Sequence, residues 1–162
     1  MSHELHFKLK EEPKKPYKDC DIKSETIKYF IFHALQEYKV DNIYVFIRDF
    51  NTRINALKYM SRNNLDEYVY NRYQEGKDVY FVGWEYSGSD YEDKAQNMLN
   101  CATDIENELY MRILKYKPDD EISDFIFELN RLCDEYMDDM YEYFTYKWCS
   151  EHRDEIVKDE EE

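Results

Sequence analysis

The residues best suited to chemistry in this sequence are pairs of carboxylates three positions apart. Glu121 with Asp124, and Glu135 with Asp138, would each place two oxygen ligands on one face of a helix, where they can share a divalent ion. Both pairs fall on one predicted helix, and a chain with 37 acidic residues produces such spacings by chance. We therefore predict no metal site and no enzyme, and keep a small helical metal-dependent nucleotide hydrolase as an alternative.

Other catalytic or cofactor signatures are incomplete. Cys149 and His152 form a single close Cys/His pair, whereas a structural zinc site takes four ligands. Gly76, Gly83 and Gly88 are too scattered to build a phosphate-binding loop. The sequence therefore predicts no cofactor.

The same predicted helix has an unusual charge pattern. Ten carboxylates lie between Asp119 and Glu142, and Arg131 is the only basic residue among them. Over ~36 Å of helix this gives one charge per ~3.6 Å, close to the ~3.4 Å between charges along one nucleic-acid strand. We predict that this face binds a partner through Asp124, Phe127, Glu128, Asp134, Glu135, Asp138, Asp139, Glu142 and Tyr146.

An acidic outer face can also serve solubility alone. Two observations favour an interface. The scarcity of basic residues on the face predicts that the usual lattice of salt bridges is missing, so like charges repel each other. The chain also contains 17 Tyr, a residue that gives interfaces apolar area together with a hydroxyl.

The overall charge indicates the kind of partner. The formal net charge is −15, and residues 117–162 account for −12 of it. This balance disfavours direct binding to nucleic acid or to an anionic membrane, and favours a basic partner. The sequence has no long apolar run and no signal-peptide pattern, which predicts a soluble cytoplasmic protein with reduced thiols. Cys101 and Cys133 fall on apolar helical stripes, so we expect both to be buried.

In size, charge and tyrosine content the chain resembles small acidic inhibitors of host defence nucleases that phages and mobile elements encode, namely anti-CRISPR proteins and anti-restriction DNA mimics. The resemblance involves no residue motif. It implies a stoichiometric inhibitor that binds a basic, nucleic-acid-binding host protein such as an RNA-guided nuclease. The alternative from another class is a dimerisation or adaptor module, which the outward positions of Met111 and Leu114 favour.

The hydrophobic pattern predicts an α+β fold with a small, mostly antiparallel sheet of about three strands and two long C-terminal helices. With only 3 Gly and 3 Pro, the chain has few tight turns. A single domain is expected over 1–150, followed by an acidic, frayed tail at 151–162. The predicted elements are strands 4–10, 42–48 and 79–86, a helix at 24–38, two short helices within 51–74 broken at Asn63-Asn64, a turn at 76–78, and long helices at 90–116 and 119–150.

Overall fold

The computed structural model describes residues 4–16, 43–82, 91–115 and 122–157. The predicted helix at 24–38 lies outside these residues. The described elements, in chain order, are strand β1 (Glu4–Phe7), helix α1 (Ile43–Gln74), strand β2 (Val79–Val82), helix α2 (Tyr91–Lys115), helix α3 (Ile122–Glu151) and a short 3₁₀ turn (Arg153–Glu155).

Helices α1, α2 and α3 pack around a shared apolar core. The apolar stripes predicted for the two C-terminal helices form most of this core, so both helices are confirmed. Arg112 near the end of α2 contacts Glu128 near the start of α3, and Lys94 near the start of α2 lies over the Tyr146 ring near the end of α3, so these two helices run antiparallel. The buried core residues are Ile54, Leu57, Ala102, Leu109, Leu129, Leu132, Cys133, Tyr136 and Met140.

The two strands form an antiparallel sheet that packs against the end of the helical bundle at which α3 ends. Leu5 pairs with Phe81, and Phe7 pairs with Val79. The ring centroids of Phe7 and Phe81 lie 4.9 and 6.0 Å from that of Trp148 on α3. This aromatic cluster fixes the sheet to the C-terminal end of α3.

The segment that follows α3 returns to the sheet. Lys8 N–H donates to the Glu155 carbonyl at 3.0 Å, and Val157 N–H donates to the His6 carbonyl at 2.8 Å. Residues 155–157 are therefore bonded to β1 and its exit, within the range 151–162 that was predicted to be a frayed tail after a domain ending at residue 150. Residues 158–162 lie outside the described residues.

Two sequence predictions about α1 are wrong. Residues 43–48, predicted as part of a third strand, form the first turns of α1, so the described sheet has two strands. The Asn63-Asn64 pair also lies inside this continuous helix. Propensity differences of under ~1 kcal/mol per residue are small beside the burial of a continuous stripe. That stripe runs through α1 at Ile54, Leu57, Ser61, Leu65 and Val69.

The turn predicted at 76–78 is confirmed, and it explains where α1 ends. Gly76 has a φ of 71°, in the left-handed region that glycine adopts without steric cost. Gly76 N–H donates to the Tyr73 carbonyl at 3.0 Å, and Lys77 N–H donates to the Arg72 carbonyl at 2.9 Å. This pair of bonds closes the last helical turn and sends the chain into β2.

Candidate partner-binding surface

The acidic face predicted from sequence lies on the outer side of α3. Phe127 is 68% exposed, and Asp124, Asp134, Glu135 and Asp138 are exposed. The remaining predicted residues are partly buried: Glu128, Asp139, Glu142 and Tyr146. The opposite side of α3 carries the core residues, so the predicted separation of the two faces is correct.

In the first half of the face, Glu128 and Glu135 are held in ion pairs, contrary to the prediction that such a lattice is missing. Arg131 donates to Glu135 at 2.7 Å and to Glu128 at 3.0 Å. Arg112 of α2 adds a contact of 3.9 Å to Glu128 and one of 3.4 Å to Glu108. The hydrogen bond from Arg131 lowers the pKa of Glu128. Glu128 therefore presents little unopposed charge to a partner.

The second half of the face keeps its charge. Among the residues that the structure describes, Asp138, Asp139 and Glu142 form no ion pair with a basic side chain. Partial burial, followed by the charges of Asp138 and Glu135, raises the pKa of Asp139. Partial burial, followed by Asp139 and Asp138, raises the pKa of Glu142. These carboxylates therefore repel one another in the folded protein.

We call Asp134, Glu135, Asp138, Asp139 and Glu142 the acidic segment. Its five carboxylates occupy ~12 Å of helix, or one per ~3 Å, against one per ~3.4 Å along a nucleic-acid strand. The segment stands on a helix whose other side is packed into the core. Its carboxylates are therefore carried on a backbone that the fold already holds in place.

The aromatic side chains at the end of α3 are engaged within the protein. The Lys94 ammonium of α2 lies 5.7 Å from the Tyr146 ring centroid, and the Arg62 guanidinium of α1 lies 5.9 Å from that of Phe144. Tyr146 was predicted to bind a partner. It is partly buried against the apolar cluster that holds the sheet, and it lies one turn after Glu142 on the same side of α3, so its role in binding stays a prediction.

The Cys/His pair is not arranged as a metal site. Burial raises the pKa of the Cys149 thiol to about 12, so it stays protonated, whereas a metal ligand must be a thiolate. The His152 ring stacks on Trp148 at 4.0 Å, and its Nδ1 lies 2.8 Å from the Trp148 carbonyl oxygen. Within the described residues, no group of three or more His, Cys, Asp or Glu side chains is placed to hold a metal ion.

The environments of the cysteines differ from those expected. Cys133 is buried as predicted, but Cys101 is exposed. Cys101 lies beside Ala102, the residue of α2 that enters the core, and a step of one residue turns a side chain by ~100° around the helix. A small apolar side chain near the stripe was therefore a weak signal of burial.

Sequence reasoning missed the role of Arg112. It lies sixteen positions before Glu128 and reaches it only because α2 and α3 pack antiparallel.

No helix among the described residues is long and apolar enough to cross a membrane. Comparison with protein-family models, with curated proteins and with solved structures finds no match for this chain.

Proposed function

We propose that this protein binds stoichiometrically to a basic, nucleic-acid-binding protein, such as an RNA-guided nuclease, in the host cytoplasm. The acidic segment of α3 would occupy the groove that otherwise binds phosphates. The observation that carries this proposal is the group of closely spaced carboxylates at Asp138, Asp139 and Glu142, which have no basic partner within the described part of the chain. A cationic groove would supply the counter-charges that the described elements do not.

The energetics of the segment support an interface over a purely solvating surface. Like charges at neighbouring helical positions destabilise a helix, and this repulsion adds to partial burial, the larger cause, in raising the pKa of Asp139 and Glu142. Solubility alone is served equally well by acids that alternate with bases, as Glu128, Arg131 and Glu135 do. A basic partner would turn the unfavourable repulsion into a favourable attraction on binding.

Phe127 would add an apolar contact to this charge pattern. It is the most exposed large apolar side chain among the described residues, and it lies eleven positions before Asp138, or ~16 Å along the helix. Binding energy in protein interfaces concentrates in a few aromatic and Arg anchors. The partner surface would therefore combine an apolar pocket with a cationic groove about three helical turns away.

The test uses purified nucleases with their nucleic acids. Increasing amounts of the protein are added to a guide-loaded RNA-guided nuclease, and to a restriction endonuclease, and DNA cleavage is measured. We expect inhibition that saturates near one protein per nuclease, is reduced by excess substrate DNA, and weakens as salt rises from about 0.05 to 0.5 M because the charges are screened.

Matched variants distinguish the effect of the acidic segment on inhibition from the effect of the total charge. Replacing Asp138, Asp139 and Glu142 with Lys should abolish inhibition. The same replacement of Glu67, Asp93 and Asp104, which are exposed acids on α1 and α2, changes the net charge equally and should leave inhibition nearly intact. Equal loss in both triple variants would mean that total charge matters rather than the segment. Full activity of the first variant would exclude the segment as the interface.

A second candidate function is dimerisation or an adaptor role. It is favoured by Met111 and Leu114 on α2, which are 48% and 54% exposed and lie one turn apart. An interface built on these side chains would be insensitive to salt. Sedimentation at high and low salt tests it: a dimer that persists at about 0.5 M salt, and is lost in a Met111→Glu variant, would favour this role.

A further inference from the structure

The outward edge of β2 is bonded to side chains of α1. Tyr80 N–H donates to the Tyr68 hydroxyl oxygen at 3.3 Å, and the same hydroxyl donates to the Tyr80 carbonyl. A single phenol thus satisfies both main-chain groups of the residue that pairs with His6 of β1. These are the groups with which a further strand would form its ladder.

A second side chain continues the pattern. The Arg72 Nε–H donates to the Asp78 carbonyl at 2.8 Å. Tyr68 and Arg72 are four positions apart on a helix, a rise of ~6 Å, and Asp78 and Tyr80 are two positions apart on extended chain, a rise of ~6.8 Å. Because the two repeats nearly match, one face of α1 can follow the strand edge and bond it twice.

The sequence of β2 favours pairing with a second molecule if the main-chain groups of this edge are left without partners. Val79, Tyr80, Phe81 and Val82 are β-branched or aromatic and carry no charge, the composition of segments that pair with copies of themselves. Native proteins close such edges with charges, bulges or covering elements. On the other side of the sheet, β1 is already bonded by the C-terminal segment.

We propose that Tyr68, with Arg72, takes the place of a neighbouring strand and closes the β2 edge against a second copy of this chain. Without the Tyr68 hydroxyl, two molecules join edge to edge through antiparallel pairing of β2 with β2, because a symmetric pair presents the same edge from both copies. This proposal is independent of the function assigned to α3.

The test is the Tyr68→Phe variant, which removes the hydroxyl and keeps the ring that lies 5.8 Å from Phe81. We expect concentration-dependent dimers or larger species by sedimentation, and faster hydrogen exchange of the Tyr80 amide in the remaining monomer. Tyr70→Phe is the control: Tyr70 is a partly buried tyrosine on the same helix, and its variant should stay like the wild type.

A double variant distinguishes edge pairing from misfolding. Adding Tyr80→Lys to Tyr68→Phe places a charge on the strand, which disfavours edge-to-edge pairing, and should restore a monomer with wild-type helical circular dichroism. Association that persists in the double variant would overturn the proposal. So would a Tyr68→Phe protein that remains monomeric with unchanged Tyr80 exchange.

Discussion

Thr145 lies seven positions after Asp138, on the same stripe of α3, yet Asp138 is exposed and Thr145 is fully buried. The difference arises because the end of α3 is surrounded by the sheet, α1 and the start of α2. The Thr145 hydroxyl accordingly donates to the Tyr141 carbonyl at 2.8 Å. The acidic face is thus limited at one end by packing, and Glu142 is its last carboxylate.

The stability of the protein should increase when the repelling carboxylates are neutralised. Asp139 and Glu142 have raised pKa values in the folded state, so the folded protein binds their protons more tightly than the unfolded chain does. Their contribution to the free energy of unfolding is largest where both are protonated, and it is lost as pH rises through their folded pKa values. Asp139→Asn with Glu142→Gln should therefore raise stability at neutral pH.

Urea denaturation at two pH values checks this prediction. The gain at about pH 7 should disappear near pH 3, where carboxylates are protonated in both states. Glu128→Gln is the control, because the pKa of Glu128 is shifted in the opposite direction. Because Arg131 lowers the pKa of Glu128, its contribution is present at neutral pH and is lost on acidification, so its replacement should give no gain. A stability gain from Glu128→Gln at pH 7 would contradict the conclusion that Glu128 is stabilised by ion pairs whereas Asp139 and Glu142 repel each other.

Phe127→Ala should weaken partner binding more than any single acid replacement. An exposed charge contributes on the order of 0.2–1 kcal/mol, whereas an aromatic anchor contributes ~2 kcal/mol or more. Folding should be unaffected, because the side chain is 68% exposed. Titration calorimetry with an inhibited nuclease measures the difference, and Tyr59→Ala, a similarly exposed aromatic on α1, serves as the control.

Arg131→Gln should strengthen binding to a basic partner. The change removes the ion pair of Glu135 and one of the two basic contacts of Glu128, which keeps Arg112 at 3.9 Å, so the acidic face presents more unopposed negative charge. The stability cost should be small, since exposed salt bridges contribute ~0–1 kcal/mol. Tighter binding at low salt, converging with the wild type at high salt, is the expected result. Weaker binding would show that Arg131 itself contacts the partner.

Tyr136→Phe should stabilise the protein. Tyr136 is 1% exposed, and its hydroxyl has no hydrogen-bond partner among the described residues. Burial, with smaller effects from Glu106 and Tyr110, raises its pKa. Because an unsatisfied buried hydroxyl costs ~1–3 kcal/mol, we expect a gain of about 1 kcal/mol in the free energy of unfolding. Thermal denaturation compares it with Tyr59→Phe, at an exposed position, where no change is expected.

The long C-terminal helices were predictable because their apolar residues recur at helical spacing, and Leu129, Leu132, Tyr136 and Met140 are buried as that spacing requires. The helical start of α1 was not predictable in this way. Its run of β-branched and aromatic residues matches strand propensity, and nothing local indicates the helix that continues for 32 residues.

For the candidate site, the sequence predicted which side chains are exposed, but it did not predict their contacts with other elements. Sequence spacing places Asp138 and Phe127 on the outer side of α3, and the structure agrees. The neutralising contact from Arg112 and the burial of Thr145 depend on which elements pack together across the chain. Helical periodicity carries no information about such distant contacts.

The pairing of Phe7 with Ile156 joins positions 149 residues apart, and this has a kinetic consequence. Strand β1 is synthesised well before its neighbours on both sides, which are β2 and the segment around Ile156. Contacts that close such long loops slow folding. During synthesis, the pairing around β1 cannot be completed until Ile156 has emerged, so its completion should be a late step that follows the assembly of the helices.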